Sequence, residues 1–198
     1  SNLNNTTIVS NLSYAVSCLC EGEFQQLHER HNWGLDLSDY WKIIENKTAA
    51  LFESSCFCGA TLLNASEDHC QKLATFGKNF GILFQLLDDY KDFFDSKTML
   101  KKNPFQDLLM GDVSYPLLLI KQHLNSDIWE QLVSFAKQEN FEACQGLLDP
   151  ELKGFLKQHI QKQILKKINI MKLQLTSFKE SVFKDQLIQL IDKSLAVV

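Results

Sequence analysis

Asp88, Asp89 and Asp92 put three carboxylates into about one helical turn, and Asp88 and Asp92, four residues apart, share a face. Hard oxygen donors at this spacing suit Mg²⁺, which keeps several waters and bridges to a substrate phosphate. An acidic run also occurs as a solvated helix face, so the surroundings decide between the two. Here the acids interrupt an apolar stretch: Phe80, Ile82, Leu83, Phe84, Leu86 and Leu87 precede them, and Tyr90, Phe93 and Phe94 follow. Carboxylates set into such a helix are expected to line a cavity. Lys47 and Thr48 stand in a second stretch of small and apolar residues, Glu45–Phe52. A lysine there either snorkels to water or offers a point charge to phosphate. Lys102, in a loop after the acids, is a third candidate and is followed by Asp107. A diphosphate held by Mg²⁺ on one side and lysines on the other would be ready to leave, since the metal neutralises the charge that develops as a carbon–oxygen bond breaks.

The elements that must position these residues read as helices. Apolar residues recur at three-and-four spacing, as in Ile8, Leu12, Ala15, Val16, Leu19 and again in Leu73, Phe76, Phe80, Leu83, Leu87. Prolines stand at 104, 116 and 150 alone, and no Asn-Gly or Asp-Gly hairpin turn occurs. The pattern predicts an all-α chain, residues 1–198 forming one domain, with helices at roughly 6–29, 37–64, 67–95, 107–123, 126–136, 139–147, 151–174 and 179–195. Ser66-Glu67-Asp68 supplies a cap and first-turn acids to the third, and Pro150 suits the first turn of the seventh.

Composition excludes several classes. Lys and Arg total 20 against 24 Asp and Glu, which argues against a nucleic-acid partner. No stretch of about 18 uncharged apolar residues offers a transmembrane segment. The two Cys-x-Cys pairs, Cys18/Cys20 and Cys56/Cys58, point about 200° apart on a helix and do not chelate one ion. They read as small buried thiols. With no basic start and apolar stretch at the N-terminus, a reducing cytoplasm is expected, with or without peripheral attachment to a membrane.

Taken in order, the motifs resemble the trans-polyprenyl diphosphate synthase family. Gly22-Glu23-Phe24-Gln25-Gln26 is similar to its G-E-x-x-Q segment, and Tyr40 to Phe52 to its Y-x-x-x-x-x-K-T-A-x-L-F element. Phe84-Gln85-x-x-Asp88-Asp89-x-x-Asp92 resembles its second aspartate-rich motif. Lys102 and Asp107 resemble G-K-x-x-x-x-D with Lys101 at the glycine position, and Gly111 to Pro116 resembles G-K-x-T-x-P. The resemblance implies an all-α isoprenoid synthase bundle. It implies Mg²⁺-dependent ionisation of an allylic diphosphate, addition of the carbocation to isopentenyl diphosphate, and loss of a proton. It further implies that Asp88 ligates Mg²⁺ directly and that Asp89 and Asp92 ligate it or hold its waters. Lys47 and Lys102 would contact the allylic diphosphate, Gln85 would line the diphosphate region, Thr48 would lie near the reacting carbons, and Gln26 would face the same cavity. A homodimer is the usual assembly, with the first helix at its interface.

The departures matter as much. The family's first aspartate-rich motif lies upstream of G-E-x-x-Q, and no second DDxxD occurs here; Arg30 is the only arginine. The chain resembles about the C-terminal two-thirds of a synthase, without the N-terminal helices of the bundle. Asp112 stands where the family has lysine. The expectation is a polypeptide inactive or weakly active alone: a fragment, a component of a heteromer whose partner supplies the missing acids, or a non-catalytic regulatory subunit acting as a helical interaction module.

Overall fold

A computed structural model of the chain describes residues 5–94 and 105–195. Among these residues every regular element is helical. The order is α1 (Thr6–His28), α2 (Leu37–Ile44), a π-helical turn (Glu45–Ala49), α3 (Ala50–Leu62), α4 (Glu67–Phe94), α5 (Gln106–Met110), α6 (Tyr115–His123), α7 (Ser126–Lys137), α8 (Phe141–Gly146), α9 (Pro150–Leu175) and α10 (Val182–Leu195).

Helix starts are fixed by side chains that accept from otherwise orphan backbone N–H groups. Asn5 accepts from Ile8 N at 3.2 Å and Asp149 from Leu152 N at 2.7 Å, with Pro150 opening α9. Asp36 and Asp39 form a reciprocal capping box at α2. Helix α4 occupies the centre. Most of its apolar positions from Cys70 to Phe93 are buried, though Phe84 is exposed, with α3 along one side and α9 along another. Helix α9 contributes a single buried stripe, Leu152, Leu156, Ile160, Ile164, Ile168, Met171 and Leu175.

Two local features differ from the sequence reading. The expected helix over 37–64 runs as one rod, but residues 45–49 form a wider π turn around Lys47 and Thr48. Its trace is the five-residue step between the buried Ile44 and Ala49. The expected single helix over 107–123 is two helices. Gly111 ends α5 with φ +80°, a conformation that side chains other than glycine's adopt at a cost, and Asp112 to Ser114 lead into α6 with Pro116 in its first turn. This break brings three consecutive residues to the site described next. The expectation for Lys102 falls outside the described residues.

Ile164 and Leu165 are neighbours on α9 with opposite surroundings, the first fully buried and the second 46% exposed. Ile164→Ala is expected to lower unfolding free energy by about 2–5 kcal/mol, and Leu165→Ala by less than about 1 kcal/mol, in urea titrations of the two variants.

Candidate active site

The π turn is held between two helices that approach it backbone to backbone. A Cβ on Gly22 of α1 would lie 2.8 Å from Lys47 Cα, and one on Gly81 of α4 would lie 2.6 Å from Ala49 Cα. The two glycines let α1 close on the π turn at Lys47 and α4 close on it at Ala49.

A cavity of about 220 Å³ opens between these elements, lined by Gln26 of α1 and Glu29 just after it, Tyr40, Ile43 and Ile44 of α2, Lys47 of the π turn, Gln85, Asp88, Asp89 and Asp92 of α4, Asp107 of α5, and Leu35, Asp112, Val113 and Ser114. The residues singled out in sequence as Gln26, Lys47, Gln85, Asp88, Asp89 and Asp92 thus meet at one place. Thr48 joins them indirectly, donating from Oγ1 to Gln85 Oε1 at 3.2 Å.

The three aspartates have different surroundings. Asp88 is exposed and Asp92 partly so, both on the cavity. Asp89 is buried, and its oxygens take three donors: Oδ2 from Tyr40 Oη at 2.8 Å and from Tyr115 N at 2.8 Å, Oδ1 from Gln85 Nε2 at 2.9 Å. Burial pushes the Asp89 carboxyl above its ordinary range, and these three donors pull the other way. Burial, together with the Asp89 charge, raises the Tyr40 hydroxyl well above its usual value. Tyr115 is the first residue of α6, so its N–H has no partner within the helix and is available to Asp89.

On the opposite wall, Lys47 Nζ donates to Gln26 Oε1 at 2.8 Å and lies 3.4 Å from Glu23 Oε1. Gln26 Nε2 in turn faces Asp112 Oδ1 at 3.4 Å. Asp112 receives a two-pronged guanidinium from Arg30, Nε to Oδ1 at 2.9 Å and Nη2 to Oδ2 at 3.2 Å. Arg30, Asp112 and Tyr115 make contacts at this site that the motifs did not reveal. Asp112 was marked in the sequence by standing where the family has lysine, whereas nothing in the sequence pairs it with Arg30.

Six carboxylates line the cavity (Glu29, Asp88, Asp89, Asp92, Asp107 and Asp112), and Lys47 is the one lysine or arginine among the described lining residues. Such a balance suits a divalent cation. Among the described residues no three His, Cys, Asp or Glu side chains stand close enough together to hold a metal ion directly. The donor set of Asp88 and Asp92 on one helical face nonetheless fits Mg²⁺, which takes few carboxylates and completes its shell with water and phosphate oxygen.

The sequence profile of the polyprenyl synthetase family matches residues 1–148. The chain belongs to that family. It is 34% identical over 139 residues to heptaprenyl diphosphate synthase component 2 of Bacillus subtilis (strain 168), a match covering 70% of this chain and 38% of the relative. The structure superposes on a decaprenyl diphosphate synthase from Rhodobacter capsulatus with a TM-score of 0.80 at 23% identity, covering 97% of this chain and 60% of that one. A polyprenyl synthase from Caulobacter crescentus CB15, complexed with calcium and isoprenyl diphosphate, gives 0.79 at 25% identity, covering 98% and 59%. The expected all-α isoprenoid synthase fold is therefore borne out. The chain spans between 30% and 46% of the length of the curated relatives it matches. No helix among the described residues is long and apolar enough to cross a membrane.

The unequal surroundings of the aspartates yield a direct test. Asp89→Ala leaves three donors, two of them buried, without their acceptor and is expected to cost about 2–4 kcal/mol in unfolding free energy. Asp88→Ala, at an exposed position, is expected to cost less than about 1 kcal/mol in the same titration.

Proposed function

We propose that this chain carries the allylic-diphosphate half of an (E)-polyprenyl diphosphate synthase site, for head-to-tail condensation of an allylic diphosphate with isopentenyl diphosphate. The observation that carries the reading is the common cavity of Asp88, Asp92, Gln85, Gln26 and Lys47, in a chain of the polyprenyl synthetase family. Asp88 and Asp92 would hold Mg²⁺, with Asp89 fixing the helix face that presents them. Bound there, the cation would supply neutralisation of the diphosphate charge as the carbon–oxygen bond breaks.

The chain's own side chains do the rest. Lys47, now on Gln26 Oε1, would exchange that acceptor for a diphosphate oxygen, and Lys102 would contact the same group. Gln85 and Thr48, joined by their hydrogen bond, would border the diphosphate and the reacting carbons. Gln26 would keep Lys47 aimed into the cavity before the substrate arrives. With one acidic motif in its sequence, the polypeptide alone is proposed to turn over weakly or not at all. The missing acids would come from a further segment of the same protein or from a partner of the kind implied by the word "component" in the name of the Bacillus relative. The alternative, a non-catalytic subunit of such a heteromer, draws on Asp112, whose charge opposes anion binding.

Isothermal titration with Mg²⁺ and inorganic diphosphate tests the site. Measurable heat that disappears on leaving out Mg²⁺, and an affinity at least ten-fold weaker in Asp88→Ala, is the expected result; heat unchanged in that variant would refute the assignment. Turnover of isopentenyl and farnesyl diphosphates by the isolated polypeptide at rates typical of enzymes, on the order of 1 per second or more, would refute the proposed dependence on a partner.

A further inference from the structure

Asp112 is a negative charge on a cavity wall that is to receive an anion, and Arg30 is its counter-charge. The guanidinium grips both carboxylate oxygens, at 2.9 and 3.2 Å, from outside the cavity lining. The grip is reinforced by backbone: His31 N donates to Gly111 O at 3.0 Å, and a Cβ on Gly111 would lie 2.5 Å from His31 Nδ1, so the turn after α1 is fitted against the turn after α5. Asp112 then faces Gln26 Nε2, and Gln26 Oε1 faces Lys47 Nζ. A carboxylate accepts only and an ammonium donates only, so the two ends fix which way the Gln26 amide points.

We propose that Arg30 is a positioning residue for Lys47: by neutralising Asp112 and holding it against Gln26, it keeps the Lys47 ammonium directed at an incoming diphosphate instead of at the Asp112 carboxylate. This rests on the reading that Lys47 receives the diphosphate. Without Arg30, Asp112 keeps an uncompensated charge on the cavity wall it shares with Lys47, one amide away through Gln26. Such a charge weakens anion binding. The guanidinium itself is exposed, and an exposed ion pair adds little to stability, so the consequence falls on binding and leaves the fold intact.

The test is a charge-reversal cycle in the whole chain, read by titration with inorganic diphosphate in the presence of Mg²⁺. Arg30→Met is expected to weaken binding roughly three- to ten-fold, the size of one uncompensated charge a few ångströms away in a wet site. Removing the offending charge as well, in Arg30→Met/Asp112→Asn, is expected to return affinity to within about two-fold of the starting protein, with thermal midpoints unchanged throughout. A clasp with a purely structural role predicts a double variant at least as weak as Arg30→Met. That outcome overturns the proposal, as does an Arg30→Met protein that binds as well as the parent. Lys47→Ala separates the two levels of the argument. If it weakens binding while Arg30→Met does not, the lysine's role stands and the positioning role falls. If the parent binds no diphosphate, or Lys47→Ala binds it equally well, both fall.

Discussion

A single buried carboxylate ties the site to the bundle. Asp89 accepts from Tyr40 of α2, from the first N–H of α6 and from Gln85, which lies one turn away on its own helix. Through Gln85 it also reaches Thr48 in the π turn. Four parts of the chain are therefore registered against one side chain that carries no exposed chemistry of its own. Ionised carboxylates are expensive to bury, and here three donors offset much of that cost. With Asp89 held by these donors, α4 presents Asp88 and Asp92, the more exposed of the three, to the cavity that all three line.

The second constraint is steric. Gly22 and Gly81 admit the π turn between α1 and α4, and the turn in turn carries Lys47 to the wall that Gln26 and Asp112 share. The two constraints act on opposite walls and meet at Thr48. This explains how a lysine from one helix rod and two aspartates from another come to line a cavity of about 220 Å³ without any direct contact needed between them.

Much of this was legible in the sequence because helical burial leaves a period. The central α4, the long α9 and the place of Pro150 in its first turn all follow from residue type and spacing. That Gln26, Lys47, Gln85, Asp88, Asp89 and Asp92 would face one cavity was expected from the resemblance of their motifs to the family's, and these residues do line one cavity. What was not legible depends on contacts between distant residues. Three neighbouring aspartates look alike in sequence, and their division into one buried and two more exposed groups appears only once Tyr40 and Tyr115 are in place. The π turn leaves only a five-residue step between buried positions. The break at Gly111 was hidden by the apolar run Leu117–Ile120, which keeps a helical pattern, while the fit of His31 against Gly111 is tertiary. Arg30 carried no motif, so its pairing with Asp112 could be found only in three dimensions.

Family membership and fold leave one central claim to be tested, that a divalent cation on Asp88 and Asp92 brings a diphosphate to Lys47. A crystal structure of the chain with Mn²⁺ and inorganic diphosphate addresses it most directly, because the anomalous signal of Mn²⁺ locates the metal independently of the phosphate. The account predicts an anomalous peak beside the Asp88 and Asp92 carboxylates, bridged to the diphosphate, with Lys47 Nζ moved from Gln26 onto a phosphate oxygen. A metal bound away from these aspartates, or a diphosphate bound with Lys47 still on Gln26, would contradict it.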